Sequence, residues 1–491
     1  MQNKTLISAS IAMLITSTTH AAGYKINEQS TSGMGNAYAG RGAVVEDASI
    51  VFSNPAGLTK LSEATFSFGS AYLHGKSEYR NTQATNVLGQ GVSGPANGDF
   101  DIGEVVPFGY YAAPINQDWA WGIGLYAPAA IAGNYDQDFV GRNFSQDTEL
   151  TVISLQPTLA YQISPKLSLG IGINISFSEG RLSAFKDLGG ICENADAINT
   201  AFAPVGLGDV HNPAFCDVQY NYEADDWAVG ANLGLLWQPN GTTSIAVTYN
   251  SELDFNHQGD FEVTNTPIIG ANAGNADNLL VVAPELPSID LTTGLLAATP
   301  LTTEAATLEL PVPQNLTVSV DQALNAKWSI QASLQWMDWS AFTDISIISE
   351  QDLGPVSDVT DQPNELASPG FIGYIPENWR DTLAGSIGVT HQWSDSIKIK
   401  SGIAYDPSPI PNQYRTARIP TEDRIWWTIG SNITLNQDWS LDLAYGYMWM
   451  KEADVNEFEF NANNQRFNQA SLSSQHHTYV HVISFQLNYT L

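Results

Sequence analysis

Positive charge is what this 491-residue sequence has least of. Nineteen Lys and Arg stand against 51 Asp and Glu, a formal net charge of −32. No basic stripe exists to meet phosphates, which excludes nucleic acid as a partner. The acidic excess suits solvated loops. Charged residues of both signs make up only 14% of the chain, against roughly 25% in soluble domains. Past residue 21 no apolar run approaches the ~20 residues of a spanning helix, so the mature chain is expected to have none. The sequence has neither a Gly-x-Ser-x-Gly elbow nor a His-Glu-x-x-His pair. Its eight histidines are scattered apart from His476-His477. No catalytic residue, metal site or cofactor is assigned. The only two cysteines, Cys192 and Cys216, share one polar segment. A metal pair would lack histidine partners beyond His211, whereas in an exported chain a disulfide is expected, contributing about 3 kcal/mol through loop closure.

Export is indicated by Met1–Ala21, with Lys4, an apolar run from Leu6 to Ile15 and small residues before a cut ahead of Ala22. The mature chain then alternates with period two. Leu167, Leu169, Ile171, Ile173, Ile175 and Phe177 interleave with Ser168, Gly170, Gly172, Asn174 and Ser176, and similar runs start at Trp328 and Ile483. Such strands have one apolar and one polar face. A soluble sandwich alternates too, but these runs are long, as tilted membrane strands require. Trp119, Trp237, Trp328, Trp393 and Trp439 collect near the turns, like an interfacial girdle. Six tight turns, near Asn116, Ser164, Pro239, Asn325, Ser394 and Asn436, alternate with seven long polar loops. The spacing predicts an all-β fold: a 14-stranded antiparallel transmembrane barrel with both ends on the short-turn, periplasmic side. Its first strand is placed near Glu63–Lys76. Leu491 departs from the terminal aromatic residue usual for recognition by the barrel-assembly machinery.

Ala22–Leu61 differs from the rest. Glycines and alanines dominate it, which suits backbone pressed against backbone. It ends in Asn54-Pro55-Ala56, where Asn can cap a short helix and Pro fits its first position. The predicted organisation is a signal segment (1–21), a plug or hatch inside the lumen (22–61) and the barrel (62–491). INEQS, SGMGNAYAGRGA and EDASIVFSNPAGLTKL in this stretch closely resemble the hatch of FadL-type outer-membrane transporters of long-chain fatty acids and other hydrophobic compounds. Further matches lie at 155–164, 310–342, 377–389 and 401–427, so the resemblance covers nearly the whole mature chain. It implies a Gram-negative outer membrane with its lipid and lipopolysaccharide. It also implies an outer groove in the third and fourth long loops, a plug that gates, and a kinked third strand that opens the wall.

That strand reads WGIGLYAPAAIAG. Gly122, Gly124 and Pro128 are the residues a kink needs, although Pro128 could equally end the strand at the outer rim. The third loop carries the cysteines. The fourth has apolar clusters at Leu279–Val282 and Leu295–Leu296, readable as a landing surface or as self-packing. Strand parity turns Arg424 and Trp426 inward, and Arg380 likewise. Arg380, Arg424 and Trp426 are therefore the candidate ligand-binding residues, the arginines gripping a fatty carboxylate or bonding the plug or a neighbouring acid such as Glu422 or Asp381. The expected function is passive uptake of long-chain fatty acids, gated at Asn54-Pro55-Ala56, with lateral exit past strand three. Uptake of aromatic or alkane hydrocarbons is the alternative, and would need no cation. A general porin or a receptor role for the loops are the remaining readings.

Overall fold

The computed structural model of the chain describes residues 23–87, 89–187, 217–264, 288–290, 295–297, 302–351 and 370–491. The expected signal segment, Cys192, Cys216 and the Leu279–Val282 cluster lie outside them, as do the side chains of Leu295 and Leu296. The strands close into a 14-stranded antiparallel barrel. They are β1 (Thr65–Thr85), β2 (Gly98–Pro114), β3 (Trp119–Asn134), β4 (Asp147–Ser164), β5 (Leu167–Asp187) and β6 (Asp217–Asn240). There follow β7 (Thr243–Asn250, then Leu253–Thr264), β8 (Thr302–Val312, then Asn315–Ala323) and β9 (Trp328–Met337, then Asp344–Ser349). The last five are β10 (Phe371–Pro376, then Thr382–Ser394), β11 (Ile397–Asp406), β12 (Arg424–Thr434), β13 (Trp439–Met450, then Ala453–Phe460) and β14 (Arg466–Thr490). Each strand pairs with the next, and β14 returns to β1 with Thr490 opposite Thr65. β1 runs well past the expected Lys76.

Period two decides which side chains meet lipid. Leu169, Ile171, Ile173 and Ile175 of β5 point outward, while Ser168, Asn174 and Ser176 are buried inside. All six expected short turns join consecutive strands at one end. Three share one construction: Asn116, Asn325 and Asn436 each accept, through Oδ1, the N–H groups two and three residues ahead. The residue three ahead is always Trp, so the turn that reverses the chain also sets an aromatic ring at the membrane interface. Trp119 stacks by Tyr161 (4.6 Å), Trp439 by Tyr489 (4.6 Å) and Trp328 by His391 (4.0 Å). Trp227, Trp427 and Trp449 form an outer counterpart on the exposed face.

Residues 23–61 lie inside this ring, touching strands around most of its circumference. Their only regular pieces are α1 (Thr31–Met34), α2 (Ile50–Ser53) and a 3-10 turn over Pro55–Lys60. Asn54 caps that turn: its Oδ1 accepts Ala56 N–H at 3.1 Å, and its amide donates to Gly42 O at 2.7 Å. The wall meets the plug with glycine. Gly170 and Gly234 are cross-strand partners, and a Cβ on either would collide with Asn54-Pro55-Ala56. Gly388 and Gly402, also partners, leave the same room for Asn36. Replacing Gly234 with valine should therefore cost about 1–3 kcal/mol of plug docking. In native outer membranes the variant's residues 23–61 should become protease-sensitive, while the barrel keeps its heat-modifiable gel mobility. A plug as resistant as the parent's would refute this packing.

Candidate functional site

The ladder between β2 and β3 is incomplete. β2 and β3 pair only near their turn, from Pro114 opposite Ala120 to Gly109 opposite Leu125. Beyond that, β2 keeps β1 alone. β3 keeps β4, with a register shift between Tyr126 and Ala129. Pro128 stands at this break and has no N–H to offer a neighbour. Pro128 therefore interrupts the strand rather than ending it, since β3 runs on to Asn134. Gly122 and Gly124 lie below the break, opposite Ala112 and Tyr110. They give room to Val51 of the plug and to the Tyr110 ring.

The plug's own beginning takes the place β2 has vacated. Lys25 forms an antiparallel bridge with Ala129. Ile26 N–H donates to Pro128 O at 3.2 Å, and Ala130 N–H donates to Tyr24 O at 2.8 Å. Gln29 ties both lips: its amide donates to Ala127 O of β3 at 3.0 Å, and its carbonyl accepts the Tyr110 hydroxyl of β2 at 2.9 Å.

Three cavities meet at these same residues. Away from the short turns, one of about 50 Å³ has a wholly apolar surface, with Leu150, Leu182, Leu308, Leu310 and Phe342 among its walls. Tyr24 closes it from below, packed edge-on against Trp339 (4.9 Å) and Phe342 (5.5 Å). The next residue, Lys25, lines two more. One of about 70 Å³ lies against Trp339, Ala404 and Trp426. The other, about 60 Å³, reaches Tyr126 and Pro128 at the wall break. Arg41, Gln335 and Met337 also border both.

The charges are distributed differently from the parity expectation. Arg424 does face inward and is buried, but its guanidinium is paired with the Asp406 carboxylate. Trp426 lines the larger cavity, and its indole N–H has no partner there. Arg380 does not face inward. β10 is broken between Pro376 and Thr382, so Trp379 turns into the lumen and Arg380 is exposed. Glu422 is paired instead with Arg415 (3.0 Å) and Lys451 (3.4 Å).

Two cations of the plug, where strand parity does not apply, also reach these cavities. Lys25 Nζ donates to Gln335 Oε1 at 2.6 Å. Arg41 lies over the rings of Tyr38 (5.0 Å) and Phe52 (5.5 Å) and reaches Asn27 Oδ1 at 3.4 Å. Neither has a carboxylate within 4.0 Å among the described residues. Enclosure inside the barrel, and Arg41 beside it, pull the Lys25 ammonium down to about 7. A third plug charge is fully met: Glu46 is held by Lys398 (3.0 Å) and by Lys400, which also donates to Ser32 O at 3.0 Å.

A profile of the outer membrane protein transport protein family (OMPP1/FadL/TodX) matches residues 12–491. The chain belongs to that family. It is therefore an outer-membrane transport protein for hydrophobic compounds and not an enzyme. Among curated relatives, the "Long-chain fatty acid transport protein" of Salmonella typhi is 28% identical over 467 residues, covering 93% of this chain and 95% of the relative. "Outer membrane protein P1" of Haemophilus influenzae is 24% identical, covering 93% and 92%. The crystal structure of a Pseudomonas aeruginosa FadL homologue superposes with a TM-score of 0.78 at 21% identity, over 95% of this chain and 99% of that one. The Pseudomonas putida toluene transporter TodX superposes at 0.59 with 14% identity, over 94% and 98%. These likenesses establish the fold.

The Glu46 contact makes plug docking depend on pH. Burial alone would raise the carboxyl, but Lys400 and Lys398 override it and bring it to about 2 from an ordinary 4.5. A depressed folded value stabilises fully above the unfolded one and is lost as pH falls through the folded one. The protection factors of plug amides, taken relative to the intrinsic exchange rate at each pH, should accordingly be steady above pH 4.5 and fall between 4.5 and about 2. In Glu46→Gln protection should already be lower above pH 4.5 and this pH step absent. A step of unchanged size in the variant would assign the effect to another carboxyl.

Proposed function

We propose that this chain carries long-chain fatty acids passively across the outer membrane. Ligand collects on the outer loops and enters the apolar cavity above Tyr24. It displaces the Gly23–Gln29 segment and leaves sideways through the break at Pro128. One observation carries this reading: the segment that fills the wall break is continuous with the one that floors the apolar cavity. A single displacement would connect the two. Asn54-Pro55-Ala56, seated on the Gly170–Gly234 pair, serves as the anchor about which the rest of the plug shifts. The relatives named as fatty acid transporters support the acid as ligand. The hydrocarbon alternative is favoured only by a likeness of fold to the toluene transporter.

The bridge between Lys25 and Ala129 offers a direct test, since a narrow antiparallel pair brings Cβ atoms within disulfide range. With Lys25→Cys and Ala129→Cys together, uptake of a labelled fatty acid by the oxidised protein should fall by about tenfold or more relative to the same protein after reduction. Barrel insertion should be unchanged. Equal uptake in both redox states overturns lateral exit past this segment.

A further inference from the structure

The larger lumenal cavity is bordered by two plug cations and has a single carboxylate in its lining. Lys25 and Arg41 border it without a carboxylate partner. Trp426 and Tyr38 also line it, and the Trp426 indole N–H and the Tyr38 hydroxyl are buried without a partner. One acid borders it, Asp406, and that charge is already met by Arg424. Glu28, the other nearby acid, accepts the Asn27 N–H at 2.8 Å and lines neither cavity. Enclosed cations usually sit against an anion, because an unmatched charge out of water is costly. Here the bordering wall acid, Asp406, is taken by Arg424, and Glu46, which lines a neighbouring cavity with Arg41, is taken by Lys398 and Lys400.

We infer that Lys25 and Arg41 form a carboxylate-binding site on the plug, at the junction between the larger lumenal cavity and the one that opens on the wall break. The ligand class is the anionic head of a long-chain monocarboxylic acid. The guanidinium donates two N–H groups of its fork to the carboxylate oxygens and the ammonium binds as a point charge. Apolar ground lies on both sides for the chain: Trp339, Ala404 and Trp426 on one, Tyr126, Pro128 and Val312 on the other. Because Lys25 is also the residue bridged to Ala129, a carboxylate that draws Lys25 away from Gln335 pulls on the strand pairing that closes the wall. Head-group capture and side opening are then one event. The site rests on the fatty acid reading and adds to it where the head is held on the way out.

Equilibrium binding to the purified full-length protein separates the two claims. The probes are oleate and oleyl alcohol, which share a chain and differ in charge. Parent protein should bind both saturably. Lys25→Met with Arg41→Met should weaken oleate by about 30-fold or more, as loss of charged hydrogen bonds predicts, while leaving oleyl alcohol within about twofold. If the double variant fails to insert, Lys25→Met alone is read the same way, with about tenfold expected for oleate. Lys25→Arg, which keeps the charge, should retain most of the affinity. Equal losses for acid and alcohol, or no loss for either, overturn the site and leave the transport reading standing. Failure of the parent to bind either probe overturns the transport reading itself.

Discussion

A sheet that crosses lipid must leave no edge unpaired, because no water is present to satisfy stranded N–H and C=O groups. Every feature of this molecule follows from how that condition is met. Over most of the circumference it is met by closure, with β14 returned to β1 in register from Thr65 to Arg80. Between the outer parts of β2 and β3 it is not met by the wall at all. There the chain uses Tyr24–Ile26 and Gln29, borrowed from the plug, to hold both lips. A barrel of this size could have been sealed by one more stretch of ladder. The seal used instead is a segment that is not a strand of the wall, which is what the proposed sideways exit requires.

The plug is fitted for that duty by two kinds of contact with different reach. Backbone laid on wall glycines at Gly170, Gly234, Gly388 and Gly402 is short-ranged and fixes position. The Glu46 carboxylate between Lys398 and Lys400 is longer-ranged and fixes orientation. Both act on the middle and end of the plug. The first few residues have neither, and are held by a handful of hydrogen bonds and the aromatic packing of Tyr24. Local stability therefore falls toward the segment that fills the break, which is where a conformational element is expected to be weakest.

Much of this architecture was legible in the residues. Period two, the alternation of short and long connections and the tryptophans after three of the Asn turns (INQDW, LNAKW, LNQDW) each report a requirement of spanning lipid, so they recur along the chain. Parity worked at Arg424 and Trp426 because β12 is continuous from Arg424 to Thr434. It misled at Arg380 because a side chain's facing survives only as long as the ladder does, and the stretch after Pro376 leaves the ladder before Thr382. The same interruption follows Val312-Pro313, so proline was a usable warning in both places. Lys25 and Arg41 were visible too. With Lys60 they are the only cations in residues 22–61. Strand parity says nothing of their facing, because the plug has no strand period. What no pattern in the sequence could supply is the pairing of Lys25 with Ala129, since a single bridge between distant segments leaves no periodic trace.

Pro128 has one further effect. Its carbonyl and the Ala130 amide both point at the plug segment, so its own nitrogen lies on that same margin. When the segment departs, a strand of ordinary residues would bare a donor at each alternate position to hydrocarbon, at several kcal/mol apiece. An imide nitrogen bares none. In the proposed exit step the proline would thus lower the energetic penalty of the open form without loosening the shut one. It also denies a stray strand from another protein part of the template it would need to zip onto the vacated margin.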